Sequence, residues 1–363
     1  MKIASIETYA QQVVTLVRVR SEDGAEGWGQ TAPYSADITA AVLHRHVAPH
    51  ALGRDEADIP GLCQDVMERE YKYPGSYVCR ALAGVETALW DLRARRENRP
   101  VCALLGGPEQ PEPVPAYASS MRRDITPTDE AARLVRLRDE FGYRAFKIRV
   151  GKECGHDTDA WPGRTEELIP TVRDAVGSDC TIHADGNSCY TPGRAIEVGR
   201  LLEANGCGHF EEPCPYWELE WTAEVAAALD IPVAGGEQDT DLAQFRRMVR
   251  MNAVDIVQPD VCYVGGMERA RAASAMAAER GKLCTPHAAN RSLVTVFTMH
   301  LLAAIPNPGP FMEFSIEPTP WAESLFEPRL EAVEGRVPFP ELGPGWGVNI
   351  RKEWLERAEM RKS

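Results

Sequence analysis

Thr181-Ile182-His183-Ala184-Asp185-Gly186-Asn187, Cys207-Gly208-His209-Phe210-Glu211-Glu212-Pro213 and Ile231-Pro232-Val233-Ala234-Gly235-Gly236-Glu237 are three short apolar runs, each closed by a carboxylate. Asp185 and Glu211 are 26 residues apart, and Glu237 follows after another 26. Helix-like segments, Pro192 to Ala204 and Leu219 to Leu229, fill the intervals. A strand–helix–strand period of this kind gives parallel strands that all point one way. Equivalent strand ends then meet at one rim, where the three carboxylates can converge. Acidic residues also cap helices, but three at one repeated offset, each directly after a strand, read as ligands. Three hard anionic oxygens suit Mg2+, which keeps its other positions for water or substrate.

The chain is long enough, at 363 residues, for one barrel-sized domain and a smaller one. Its formal net charge of −14 argues against nucleic acid as a partner, which calls for a basic face. An anionic small molecule stays compatible, because a metal and a few local cations decide that. The ten cysteines include no C-x-x-C pair, and Cys180, Cys262 and Cys284 sit in apolar runs as reduced core residues. No apolar secretory segment opens the chain, and no run approaches the roughly 20 apolar residues of a membrane span. The expectation is a cytoplasmic protein with no membrane partner.

Residues 2 to 30 read as a meander, Lys2–Tyr9, Val13–Arg20 and Glu26–Gln30, with a tight turn at Ser21–Gly24. Helical patterning follows in Ala36–Leu52, Asp58–Tyr71 and Ser76–Arg96. In the last, Val78, Ala81, Val85, Ala88, Leu89 and Leu92 form one stripe. This strand-then-helix order fits an α+β capping domain over residues 1–112. From Val114 strands and helices alternate. The strands are Val114–Ala118, Ala145–Val150, Cys180–Ala184, His209–Glu211, Val233–Gly235, Ile256–Gln258, Leu283–Thr285 and Phe311–Glu313. Helices such as Asp129–Phe141, Gly163–Val176 and Met267–Arg280 separate them. Eight strands with intervening helices over residues 113–318 make a (β/α) barrel. The Pro- and Gly-rich tail, 319–363, carries strand-like Arg336–Phe339 and Val348–Arg351 and is expected to return to the cap.

Reactive groups in such a barrel sit at the C-terminal strand ends. The second strand offers Lys147 and Arg149, two apart and so on one face, toward the interior. Strands three to five offer Asp185, Glu211 and Glu237. The sixth ends Val257-Gln258-Pro259-Asp260, the seventh Cys284-Thr285-Pro286-His287 and the eighth Phe311-Met312-Glu313. Such a succession of polar residues makes little sense as packing.

This pattern resembles the enolase superfamily, and within it the mandelate racemase subgroup, over nearly the whole chain. Its most specific motifs here are the evenly spaced Asp185, Glu211 and Glu237 and the Asp260/His287 pair on adjacent strands. The resemblance implies a modified (β/α)7β barrel whose α+β cap is completed by the C-terminal tail. It also implies a Mg2+ that binds a substrate carboxylate and stabilises the enediolate left when a base removes the α-proton. His287 is the candidate acid/base, with Asp260 fixing its tautomer. Lys147 resembles the family's lysine that contacts the substrate carboxylate, and Glu313 the glutamate that hydrogen-bonds it. Asn187, two beyond a ligand, supports the metal site or touches substrate, unless it is simply a turn residue. A symmetric homo-oligomer, dimer to octamer, is also implied.

Two departures from the racemase pattern are informative. The second-strand pair is Lys147-Ile148-Arg149 rather than Lys-x-Lys, and arginine stays protonated at neutral pH. With His287 as the one good base, the economical reaction is β-elimination. A sugar acid (aldonate or aldarate) would lose water to give a 2-keto-3-deoxy acid, with Arg149 binding substrate oxygens or assisting the leaving group. Asp260 also stands where dipeptide epimerases and muconate-lactonising relatives carry a lysine. The second departure is the short Tyr9–Val13 segment, which leaves almost no room for the family's lid loop. Thr31–Ile38, Tyr71–Tyr77 or a neighbouring subunit would have to cover the site. A racemase, epimerase or cycloisomerase is the alternative enzyme, and a metal-retaining binding or scaffold protein the alternative class.

Overall fold

Strict alternation over the first thirty residues builds an antiparallel meander of β1 (Ile3–Ala10), β2 (Thr15–Ser21) and β3 (Glu26–Gln30). The structure, a computed structural model, describes residues 1–73, 75–340 and 343–363. Pro74, inside the expected Tyr71–Tyr77 cover loop, and Glu341 and Leu342 in the tail lie outside the described residues. The helix Ser76–Glu97 lies across β2 and β3, and all six residues of the expected stripe are buried. Contact is close because glycines line it. A Cβ on Gly27 would sit 2.2 Å from the Ala88 carbonyl oxygen, and one on Gly29 2.4 Å from that of Gly84. The expected helix Ala36–Leu52 is broken: Ala36–Val42, a π turn at Leu43–Val47, then Ala48–Ala51. Pro49 has no N–H to continue the ladder, and the π turn takes up the mismatch.

Eight parallel strands follow: β4 (Val114–Ser119), β5 (Ala145–Arg149), β6 (Thr181–Asp185), β7 (His209–Glu211), β8 (Val233–Gly235), β9 (Ile256–Val257), β10 (Leu283–Cys284) and β11 (Met312–Ser315). They pair in chain order from β4 to β10, and β11 returns beside β4. The sheet curls into a barrel wall. Between β10 and β11 the gap is bridged by irregular chain, with Cys284 N–H donating to the Asn307 carbonyl and Gly309 N–H to that of Cys284. Strands two to four have apolar residues on the helix-facing side (Phe146, Ile148, Ile182, Ala184, Phe210) and polar ones inside. The helices begin at side-chain caps where the sequence supplies them, as Thr126 does for Pro127–Phe141 and Asp241 for Leu242–Arg250. All ten cysteines are free. No described helix is long and apolar enough to cross a membrane.

Cap and barrel are joined through Glu86. Its buried carboxylate accepts N–H from Met267 and Glu268, at the start of the helix Met267–Ala278, and from its own helix's Trp90 indole. The tail returns to the cap, but not through its two strand-like segments. β13 (Arg336–Val337) pairs antiparallel with β4 of the barrel, not with the cap, and β14 (Asn349–Ile350) pairs with β12 (Phe326–Glu327). The return to the cap is made by β15 (Glu359–Lys362), which pairs with β1 over Glu7–Ala10. All four β15 residues are exposed. An exposed edge strand, held by backbone pairing and the Lys362–Glu7 ion pair, carries no apolar alternation, so periodicity could not reveal it.

Candidate active site

Strand register delivers the site. Arg149, Asp185 and Glu211 face one another across β5, β6 and β7, with Lys147, His183 and His209 forming the row beneath. The equal sequence spacing hides an irregularity at the third carboxylate. Glu211 is level with Ala234, so Glu237 lies three residues past the row. The chain turns it back at Gly236, whose φ of +111° is left-handed and where a Cβ would sit 2.9 Å from Phe245 Cε1. Ligand oxygens of Asp185, Glu211 and Glu237 thereby come within 4.8 Å of one another, all buried. Three converging hard oxygens fit an oxygen-seeking divalent cation and do not resemble the nitrogen and sulfur set of a structural zinc.

Two cations enter from β5. Lys147 Nζ lies 2.7 Å from Glu211 Oε1, 2.7 Å from Glu313 Oε1 and 3.5 Å from Asp185 Oδ2, wholly buried. Burial alone would strip its charge, but Glu211 and Glu313 outweigh that and hold it protonated. In turn burial would raise Glu313, and Lys147 overcomes it, taking the carboxyl down to about 2. Glu313 is further fixed by the Ser119 hydroxyl at 2.8 Å and the Ala288 N–H at 2.9 Å. Arg149 donates to Asp185 Oδ2, to the Ser120 carbonyl at 2.9 Å and to Asn187 Oδ1 at 3.1 Å. It holds a ligand and does not stand free as a base.

His287 Nδ1 is 2.7 Å from Asp260 Oδ2, and Nε2 is 3.4 Å from Glu237 Oε2. Asp260 does two jobs. Its Oδ1 accepts N–H from Cys262 and Tyr263, capping the helix Val261–Val264, which leaves Oδ2 aimed at the imidazole. The cap is therefore also the device that aims the carboxylate. Burial lowers the affinity of His287 for a proton. Glu237 above all, then Asp260 and Glu313, reverse this and raise its pKa to about 10. A cation on Glu237 would cancel the largest of those attractions and bring the imidazole toward the neutral range where it can accept a proton.

The sequence left several contributors unassigned. Gln258, quoted only as part of a strand end, donates from Nε2 to Glu211 Oε2 at 2.9 Å. Arg123 donates to Asn187 Oδ1 at 2.7 Å, and no spacing rule pointed to it. Asn187, at φ 42°, returns its own N–H to Asp185 Oδ1 at 2.7 Å, so here it orients a ligand. His183 and His209 stack with centroids 3.8 Å apart beneath the carboxylates. Their signal was the period-two placement before Asp185 and Glu211.

The chain is similar to known proteins over nearly all of its length. The family model described as "Enolase C-terminal domain-like" matches residues 129–354. That described as "Mandelate racemase / muconate lactonizing enzyme, N-terminal domain" matches residues 1–106. D-galactarolactone cycloisomerase of Agrobacterium fabrum is 31% identical over 95% of this chain and 91% of its own. Arabinonate dehydratase of Saccharolobus solfataricus is 28% identical over 99% and 94%. L-talarate/galactarate dehydratase of Salmonella typhimurium is 30% identical over 89% and 77%. Among solved structures, a provisionally named racemase from Roseobacter denitrificans superposes with a TM-score of 0.97 at 55% identity, covering all of both chains. A mandelate racemase/muconate lactonizing protein from Paracoccus denitrificans, complexed with magnesium, gives 0.89 at 30% identity over 99% of each.

Proposed function

The chain belongs to the mandelate racemase/muconate lactonizing enzyme family of the enolase superfamily, and from that premise we propose that it is a Mg2+-dependent sugar-acid dehydratase. One observation carries the reading: the site has a single side chain suited to moving a proton at the α-carbon. His287 is that side chain, aimed by Asp260. The residue that could have served the other face is Arg149, a guanidinium already bound to Asp185. A racemase requires proton transfer on both faces; β-elimination requires one residue acting twice.

Held by Asp185, Glu211 and Glu237, the cation would neutralise the charge that builds on the substrate's carboxylate oxygens as the α-proton leaves. Lys147 binds and orients that carboxylate, and Glu313, 2.7 Å from the ammonium, fixes the lysine against it. His287 Nε2 takes the α-proton while Nδ1–H stays on Asp260. The imidazolium then returns the proton to the β-hydroxyl, which departs as water, and the resulting enol tautomerises to the 2-keto-3-deoxy acid. Arg149 and Asn187 keep Asp185 in place, and Arg149 supplies positive charge beside the leaving group. The names of the dehydratase relatives support this class of substrate. Cycloisomerisation is the second reading. It also needs one base, the leaving oxygen being a ring oxygen of the same molecule, and two relatives carry that name.

A sugar-acid library incubated with Mg2+, scored for 2-keto-3-deoxy product beside His287→Asn, tests the proposal. Loss of one water, abolished by EDTA and by the substitution, is the expected result. A product of unchanged mass moves the reading to isomerisation. Turnover that survives His287→Asn removes the base assignment.

A further inference from the structure

Arg80 is an unexplained cation one ring removed from His287. It sits in the second turn of the cap helix Ser76–Glu97, partly buried, with its guanidinium carbon 3.8 Å from the centre of the Tyr263 ring. The Tyr263 ring in turn lies 5.7 Å from that of His287. Among the described residues, every other partly or fully buried arginine has a carboxylate or carbonyl acceptor, as Arg149 has Asp185 and Arg123 has the Gly151 carbonyl. Arg80 has neither. In a chain with 54 acidic side chains against 40 basic ones, a partly buried guanidinium with all five donors unclaimed is conspicuous.

We propose that Arg80 binds a second carboxylate at the far end of the substrate, so that the enzyme acts on aldarates, the diacids, in preference to aldonates. This rests on the dehydratase reading and narrows its substrate class.

Reach and rigidity both support it. With C2 beside His287, the far carboxyl carbon of an extended six-carbon acid lies about 5 Å away, from C–C bonds near 1.5 Å. The guanidinium carbon is no further from the imidazole than two steps of 5.7 and 3.8 Å, a span that this length of chain and a forked hydrogen bond can cover. The cation is also held in position. Tyr263 follows Asp260 in the capped helix under it, and Glu86, less than two turns further along the Arg80 helix, pins that helix to the barrel. A guanidinium fixed by stacking, with its edge donors free, suits a planar carboxylate better than a mobile lysine would. The other cations near the reacting end are already engaged with Glu211, Glu313 and Asp185.

The test uses the full chain loaded with Mg2+ and pairs of acids that differ only at the far terminus, galactarate with galactonate and glucarate with gluconate. Affinity by calorimetry and kcat/KM are read for wild type, Arg80→Met and Arg80→Lys, each checked for an unchanged Tm. In at least one pair the diacid should be preferred. Arg80→Met should weaken that diacid about 10- to 100-fold, the worth of a charge-assisted pair, and leave its mono-acid partner unaffected. Arg80→Lys should restore part of the loss, and serves alone if Arg80→Met does not fold. Equal losses for both members of a pair, no loss for the diacid, a wild-type preference for mono-acids, or no binding of any diacid would overturn the proposal. Arg80-dependent diacid binding without any water loss would leave it standing and remove the dehydratase reading. Dehydration of mono-acids indifferent to Arg80 would do the reverse.

Discussion

Asp260→Asn separates the two jobs of one carboxylate. In the native site Oδ1 accepts the N–H groups of Cys262 and Tyr263 at 2.7 and 3.0 Å, and Oδ2 meets His287 Nδ1 at 2.7 Å. Asparagine is as good a cap as aspartate, so its amide oxygen keeps the two backbone N–H groups and the change in stability stays within about 1 kcal/mol. The cap then dictates which way the amide faces. Its NH2 points at His287 Nδ1, which can meet it only as an acceptor. The imidazole proton is forced onto Nε2, the atom that must be bare to take the α-proton.

A correctly placed base of the wrong tautomer costs about 10²–10⁴ in rate. The assay is loss of the C2 proton signal of a bound sugar acid in D2O with Mg2+, followed by NMR beside denaturant unfolding. Asp260→Ala is the control: it should lose a further 0.5–2 kcal/mol or so of stability from the missing cap. An Asn variant that exchanges the C2 proton at the wild-type rate would refute the argument that Asp260 sets the tautomer. An Asn variant as unstable as Ala would refute the division of labour between the two oxygens.

Two further outcomes follow from buried charge. On the cap sheet burial pushes Glu7 up, but hydrogen bonds from Arg18 and Tyr9 outweigh it and hold its pKa below the ordinary carboxylate value of 4.5. A group lowered in the folded state contributes stability above its unfolded pKa and loses it as pH falls through the folded one. Unfolding free energy should therefore drop below pH 4.5, and Glu7→Gln should flatten that acid limb while lowering stability at pH 7; an unchanged limb would deny the Glu7 network its role. Separately, Mg2+ at 100 times its Kd should raise unfolding free energy by about 2.7 kcal/mol, and Glu237→Gln should abolish the increment. Persistence of that increment in the variant would place the cation elsewhere.

Legibility of the site in the sequence followed the physics of each signal. Strands β5, β6 and β7 bury apolar residues against helices and polar ones inside, so period two located Lys147 and Arg149, and the 26-residue repeat of strand ends located Asp185 and Glu211. Glu237 was found for a weaker reason. Its spacing matched, yet the residue stands three beyond the register row and depends on the Gly236 turn. Partners that act across the fold left no local trace. Arg123 reaches Asn187 across 64 residues, and Glu86 reaches Met267 across 181. The strand that returns the tail to the cap, β15, left no signal because all four of its residues are exposed. The short β1–β2 connection, in contrast, was plain from length: β1 ends at Ala10 and β2 begins at Thr15.

Charge balance ties the site together. Burial, then Glu237 and Glu211, push Glu212 toward its neutral form, and the other five buried carboxylates of the site, Asp185, Glu211, Glu237, Asp260 and Glu313, surround Lys147, Arg149 and His287. Even with the imidazole protonated, two negative charges are left over in a water-poor interior, where unbalanced charge is costly. A divalent cation matches that deficit, whereas a monovalent one leaves half of it. Once the imidazole gives up its proton to act as a base, the interior is one charge negative again, and an incoming carboxylate makes it two. The reaction end of the site therefore has no positive charge to lend to a second anionic group. A diacid would have to find its counter-ion outside that set, and the nearest uncommitted guanidinium is the one that the cap holds over Tyr263.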